Sequence, residues 1–325
     1  MLVTKTPLRI SFFGGGSDIP QFYETNEGMV LSTTIDKHIY IAANISVARH
    51  IKLVYSEMEY PASVAEIKHD RIRAILQHFG ITNNIEIASF SDVPTKGTGL
   101  GSSSTFTVGV LHALFTQLHL PFNKRDLAEL ACEIEIARCG EPIGKQDQYA
   151  ATYGGLNVIR FTKDHTTVSP LPITGKVLRT LQQNLFMYHT GISRQAASIL
   201  SNQVKNLTTS RTTIDDTCRM VDLAKQSVEY LLREELDSFG SLLHTAWTIK
   251  KKLAQNITNP TIDSLYTSAM TAGALGGKLL GAGGGGYMLF YVPEERQAQF
   301  VTDMQHYDRF PFKFVEYGST VEMIS

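Results

Sequence analysis

Three cysteines and one tryptophan in 325 residues leave little for a disulfide framework. An odd number of thiols cannot all pair. Cys132 and Cys139 stand seven positions apart on an expected helix, about 10 Å along its axis and beyond bridging distance. No Cys/His spacing suggests zinc. An excess of charge is missing too: 30 Lys plus Arg face 31 Asp plus Glu, a net charge of −1. That removes the positive field needed to grip nucleic acid by its phosphates, and no nucleic-acid partner is expected. No stretch reaches the roughly 20 unbroken apolar residues of a membrane span, and Met1 to Arg9 lacks a basic-then-apolar leader. A cytoplasmic protein without a membrane partner is the expectation.

With 43% hydrophobic and 19% charged residues, the chain can build one large core or two ordinary ones, and disorder is excluded. Leu8 to Phe13, Met29 to Thr34, His38 to Val47 and Ile51 to Tyr55 read as strands. Ser63 to Phe79 reads as a helix, and Asn84 to Ser91 as a strand leading into the helix Ser102 to His119, apolar on nearly every side. Asn123 is a plausible cap for a helix running to Cys139. The second half has strands at Leu185 to His189 and Tyr287 to Val292 around several helices. We expect an α+β fold with a soft boundary dividing residues 1–174 from 175–325. No linker composition marks it, so the halves should share an extensive interface.

Three glycine-rich loops carry the chemistry. Pro94-Thr-Lys96-Gly97-Thr-Gly99-Leu100-Gly101-Ser102-Ser103-Ser104 joins an expected strand to an expected helix. Glycines allow close backbone approach, and the free N–H groups and positive dipole end of the helix make a phosphate cradle. The serines can cap the helix or reach a phosphate-bound Mg²⁺. This is no Walker A loop, because Gly276-Gly277-Lys278 is followed by Leu279. Gly281-Ala-Gly283-Gly284-Gly-Gly286 matches G-x-G-x-x-G literally, but a strand rather than a helix follows, so it is either a bare packing turn or part of a ligand site. Near the N-terminus, Arg9-Ile-Ser-Phe-Phe-Gly14-Gly15-Gly16-Ser17-Asp18 closes a strand, with Asp18 either capping a helix or serving a ligand.

Two carboxylates stand out. Glu135 falls on the stripe of Ala128, Ala131, Cys132 and Cys139, where it either lies at the edge and reaches solvent or faces inward toward a metal or an arginine. Asp147 follows the loop at Gly144 and opens a short helix. It is either an ordinary cap or the acid that orients an attacking hydroxyl, as phosphoryl transfer often requires.

Taken together, the three motifs Arg9 to Asp18, Pro94 to Ser104 and Lys278 to Gly286 resemble the family named for galactose, homoserine, mevalonate and phosphomevalonate kinases, the GHMP kinases. The resemblance implies two lobes: an N-terminal domain like ribosomal protein S5 with an unusual left-handed β-α-β unit, and a ferredoxin-like C-terminal domain. ATP would lie in the crevice between them. Within the family, Lys5-Thr-Pro-Leu-Arg9-Ile10, Ser91-Asp-Val-Pro94 and Gln146-Asp147-Gln-Tyr-Ala-Ala-Thr-Tyr-Gly-Gly155 are similar to the heptose 7-phosphate kinases. That likeness implies transfer of the ATP γ-phosphoryl group to an anomeric hydroxyl of a sugar phosphate, giving a 1,7-bisphosphate for nucleotide-activated heptose.

By position, the resemblance implies that Pro94, Lys96, Gly97, Gly99, Leu100, Gly101, Ser102, Ser103 and Ser104 wrap the ATP phosphates. Ser103 and Glu135 would contact Mg²⁺. Asp147 would be the catalytic acid–base group with Arg9 beside it, and Gly15, Gly16, Ser17, Asp18, Gly283 and Gly284 would hold the acceptor. For the acceptor's own phosphate we nominate Arg194, Lys250 and Lys251, whose alternative is a solvated helix face. Leu280 departs from the small polar residue that many relatives place there, leaving contacts at that turn to backbone N–H groups. The alternatives are an anomeric kinase for fucose, mannose or unphosphorylated heptose, and a non-catalytic sugar and nucleotide sensor. The oligomeric state stays open, a homodimer included.

Overall fold

The computed structural model describes every residue except 48, 95, 96, 194–196, 324 and 325. Lys96 and Arg194 therefore lie outside the described residues. Seven strands come from the first half: β1 (Leu2–Phe13), β2 (Gly28–Ile45), β3 (Ile51–Val54), β4 (Met58–Glu59), β5 (Ile85–Ser91), β6 (Asn157–Phe161) and β7 (Thr166–Pro170). Five follow: β8 (Leu185–His189), β9 (Gly276–Leu279), β10 (Tyr287–Tyr291), β11 (Phe314–Val315) and β12 (Thr320–Met323). The helices are α1 (Pro20–Tyr23), α2 (Asp70–His78), α3 (Ser102–Gln117), α4 (Lys124–Cys132), α5 (Gln146–Tyr153), α6 (Gly175–Gln183), α7 (Ala197–Thr209), α8 (Arg211–Leu232), α9 (Leu236–Lys250), α10 (Pro260–Thr271) and α11 (Gln297–Asp303).

Nine strands form one mixed sheet ordered β12-β1-β2-β5-β3-β4, with β6 and β11 also on β2 and β7 beyond β6. The pair β3/β5 is parallel. The two strands expected at 29–34 and 38–47 are a single 18-residue strand. A register shift between Pro7 and Leu8 lets β1 skip Asp36 and Lys37, so the polar interruption is absorbed as a bulge instead of ending the strand. The helix expected from Ser63 is shorter. Val64–Glu66 is one 3₁₀ turn, and α2 begins only after His69, whose ring accepts from the N–H of Ile72.

Strands β8, β10 and β9 form a second, three-stranded antiparallel sheet. Where a ferredoxin-like sheet would place a fourth strand, only the isolated bridge Tyr188–Arg309 is present among the described residues. The chain then leaves this lobe: β11 pairs with β2 and β12 with β1. Residues 175–325 are therefore not wholly in one lobe. The expected broad interface is real, since Phe239 of α9 packs edge-on against both Phe12 and Phe13 of β1, with centroids 5.5 and 5.2 Å away. One apolar cluster runs through both lobes, and burying it fixes the cleft walls relative to each other.

Helix α4 starts at a complete capping box between Asn123 and Asp126. It does not continue as a regular helix to Cys139: Glu133–Arg138 widens into a π-helix. That wider turn carries Glu135 fully inside, at 0% exposure. Its partners, described below, exclude the solvent-reaching alternative.

Candidate active site

One side of the cleft is built at the start of α3. Its N-cap is Gly101, at φ 77° and without a side-chain cap, so the serines do not cap the helix. The first-turn amides and the dipole face a cavity of about 440 Å³ lined by Gly97, Gly99, Gly101 and Ser102 to Ser104. Glycine is required here by contact as well as by φ. A β-carbon on Gly99 would fall far inside contact distance of the Leu280 carbonyl, and one on Gly281 would strike the backbone of Gly99. The first and third glycine loops thus interlock backbone on backbone. Leu280 itself is wholly buried.

Opposite stands Asp147 in the first turn of α5. It is not the cap, which is Lys145. Arg9 clamps its carboxylate, Nε donating to Oδ1 at 2.7 Å and Nη2 to Oδ2 at 2.8 Å, while Nη1 donates to the Gly99 carbonyl at 2.6 Å. A bidentate guanidinium of this kind sets both position and charge. One arginine therefore ties the acid to the phosphate loop. Asp18 does not cap α1, whose N-cap is Ile19. It is buried, and it accepts from the N–H of Gly16 at 3.0 Å and of Gln146 at 3.2 Å. Burial first, and the nearby Asp147 second, push its carboxyl above the ordinary value.

Two lysines complete the floor. Lys250 Nζ donates to the carbonyls of Leu279 and Gly281 at 2.7 and 2.5 Å, and Lys278 Nζ to those of Ser11 and Phe12 at 2.8 and 2.7 Å. Both side chains are buried and line the cavity. Burial lowers Lys250 to about 7 and pushes Lys278 well below the ordinary lysine value, Lys250 adding to the latter by repulsion. Lys251, nominated beside Lys250, points elsewhere: its ammonium stands 5.8 Å from the ring centre of Trp247 and 3.9 Å from Asp263. One helical position turns the side chain by about 100°, which separates the two lysines.

The fit of Ser103 and Glu135 to Mg²⁺ is decided by the donors around Glu135. Ser104 Oγ donates to it at 2.7 Å, Thr107 Oγ1 at 2.6 Å, the amide of Gln148 donates as well, and Arg71 Nε stands 3.2 Å away. A carboxylate offers about four acceptor positions, and these donors take them, with a guanidinium where a cation would approach. Glu135 does not fit a direct metal ligand in this arrangement. It anchors the first turns of α3 and, with Glu141 at 2.6 and 2.5 Å, fixes Arg71.

The cavity gathers Arg9, Gly15, Gly16, Asp18, Gly97, Gly99, Gly101, Ser102, Ser103, Ser104, Asp147 and Lys250. Other expected residues stand back. Ser17 is a prop whose hydroxyl donates to the Gly14 carbonyl at 2.7 Å. Leu100 is core and Pro94 is exposed. Gly283 packs against Ile257, and the Gly284 N–H donates to the Ile257 carbonyl at 2.9 Å. Gly281 and Ala282 line the cleft in their place. Sequence reading passed over Ser11, Arg71, Gln146 and Lys278, all of which line the cavity. Lys278 had a legible signal, a lone lysine inside an otherwise glycine and leucine strand. Arg71 had none, since an arginine opening a polar helix looks like any solvated one.

A two-lobed α+β fold with a glycine-loop helix N-terminus facing an arginine-clamped aspartate defines a small-molecule kinase. The chain belongs to the GHMP kinases: the family's N-terminal domain matches residues 66–155 and its C-terminal domain residues 227–306. It is thus a phosphotransferase with an alcohol acceptor. It is 31% identical to the D-glycero-alpha-D-manno-heptose 7-phosphate kinase of Campylobacter jejuni, over 92% of this chain and 91% of that one. A solved D-glycero-D-manno-heptose 1-phosphate kinase from Bacteroides thetaiotaomicron superposes with a TM-score of 0.82 at 26% identity, covering 100% of both chains. The bifunctional fucokinase/GDP-fucose pyrophosphorylase of Arabidopsis thaliana is 26% identical over 91% of this chain and 30% of its own length.

Proposed function

We propose that the chain is a sugar kinase that uses ATP, with Mg²⁺ accompanying its phosphates, to phosphorylate the anomeric (C1) hydroxyl of D-glycero-D-manno-heptose 7-phosphate. The product is the 1,7-bisphosphate, a precursor of nucleotide-activated heptose. The observation that carries this reading is the shared cleft of Asp147 and the α3 N-terminus, joined through Arg9. The domain division at 174/175 belongs to the same reading for the loops it separates, the phosphate loop on the first unit and the third glycine loop on the second, while β11 and β12 cross back to the first sheet.

Loop amides at 97–104 hold the donor phosphates, and Asp147 aligns the acceptor hydroxyl and takes its proton. The acceptor oxygen forms a bond to the γ-phosphorus. The bond from that phosphorus to the bridging oxygen breaks, and ADP leaves with the electron pair. Alignment and charge stabilisation carry most of such a transfer. Arg9 keeps Asp147 in its acceptor orientation and offers charge near the moving group. Asp18, with Gly15 and Gly16, receives sugar hydroxyls. Lys250 and Lys278 favour an anionic acceptor over a neutral sugar such as fucose, because two buried amines whose charge burial disfavours, with no carboxylate partner among the described residues, are best held protonated by a phosphate.

The test offers ATP with heptose 7-phosphate, heptose, mannose or fucose, and identifies products by mass and phosphorus NMR. Heptose 7-phosphate should give the 1,7-bisphosphate fastest. Preference for a neutral sugar transfers the reading to that sugar, and no sugar-dependent ADP release at all ends it.

A further inference from the structure

Two polar atoms in the cleft have no work in the ligand-free fold. Ser11 follows Arg9 by two positions on β1, is 5% exposed, and its Oγ has no hydrogen-bond partner. Gln146, immediately before Asp147, has a buried side-chain oxygen that is likewise unpartnered. Both line the cavity. Leaving such a group buried and unpaired is unfavourable, so a ligand that pairs with both recovers what the ligand-free fold loses.

Their placement says what that ligand group is. A β-carbon on Gly15 would stand 3.9 Å from the Gln146 side-chain nitrogen and 4.0 Å from Ser11 Oγ. The side chains therefore flank one small space that Gly15 leaves open. A hydroxyl in that space accepts from the Gln146 Nε2–H that faces it and donates to Ser11 Oγ. It also pairs with the amide in its flipped orientation, since a hydroxyl both donates and accepts. A methylene does neither. Because Gln146 precedes the residue that aligns the reacting hydroxyl, the second hydroxyl is its neighbour on the ring.

Resting on the kinase reading above, we infer that Ser11 and Gln146 bind the acceptor hydroxyl vicinal to the one phosphorylated, and that they select acceptors carrying a vicinal diol. For an anomeric kinase this is the hydroxyl on C2.

Steady-state constants for Ser11→Ala, Gln146→Leu and Gly15→Ala, with heptose 7-phosphate and its 2-deoxy counterpart, test this. Gly15→Ala places a methyl in the space at ordinary contact distance, on a backbone that is not left-handed. Each variant should raise KM for heptose 7-phosphate about tenfold, the worth of one neutral hydrogen bond, and leave KM for ATP unchanged. With the 2-deoxy sugar, Ser11→Ala and Gln146→Leu should match the wild type. Variants that lose equally with both sugars, that shift KM for ATP, or that shift nothing overturn the inference while a working wild type preserves the kinase reading. A wild type that releases no ADP with any sugar overturns both.

Discussion

A β-carbon on Gly101 would stand 3.2 Å from Oδ2 of Asp147. The residue that opens helix α3 and the acid in the first turn of α5 are therefore in near contact, with Arg9 Cγ at the same 3.2 Å. Any side chain at 101 intrudes on both, and the φ of 77° strains it further.

Asp147→Asn should lower turnover by about 10²–10⁴-fold, the usual contribution of a positioned proton acceptor. The proposed function puts the nucleotide contacts on another loop, so ATP affinity measured by calorimetry should stay near wild type. Near-normal turnover in this variant would remove Asp147 from the mechanism.

Gly99→Ala and Gly281→Ala should each destabilise the protein by about 1–3 kcal/mol through left-handed strain, with a further loss from backbone overlap, and both should weaken ATP binding. Gly140 is the control: its φ is +67° but nothing lies within 4 Å of its missing β-carbon. Thermal unfolding of the three variants checks this, and a Gly281→Ala protein as stable as Gly140→Ala would contradict the interlock.

Lys250 predicts a pH dependence. Burial lowers it to about 7 from 10.5, so between those values the folded state carries fewer protons than the unfolded chain. The ligand-free protein therefore gains stability from this group as pH rises from about 7. Acceptor binding runs the other way. Below pH 7 the ammonium is charged; above it a neutral amine still serves both carbonyls but attracts no anion. Affinity for heptose 7-phosphate should fall as pH rises through 7, and also below about 6 as the phosphate gains its proton. Lys250→Met should abolish the fall above pH 7, whereas Lys251→Ala should leave the profile as it is. Calorimetric titrations across pH 5.5–9 at roughly half-unit steps would read both.

Glu135→Ala should cost about 3–5 kcal/mol, because it strands part of a buried ion-pair network around Arg71 and removes the acceptor that Ser104, Thr107 and Gln148 share. Glu135→Gln retains most of the shape and should cost less. Denaturant titration measures both. If Glu135→Gln leaves folding intact yet lowers Mg²⁺ dependence selectively, the carboxylate is a metal ligand after all.

Much of the glycine-loop side of the cleft was legible in the primary structure. Three glycines ahead of three serines between strand and helix signals marked an anion site, and the left-handed φ values at 97, 99 and 101 follow from residue type. Many strands and helices of both halves were legible in apolar patterning, which left open whether they build one core or two. Glu135 was legible only as a choice between rim and interior, because helical spacing assumes 3.6 residues per turn and the π-turn at Glu133–Arg138 breaks that period. The return of β11 and β12 to the first sheet had no local mark, since pairing with strands some 280 and 320 residues earlier depends on where the rest of the chain has gone.

Residue identity alone determined which backbone can approach a phosphate and which side chains can carry its charge, because those properties belong to single residues and their immediate neighbours. Tertiary packing decided which of those side chains share the cleft. It turned Lys250 inward and Lys251 outward, closed Glu135 among its own donors, and brought Ser11 beside Gln146. The physical reason is that burial and pairing energies arise from contacts across both lobes, and no local spacing along one strand or helix specifies them.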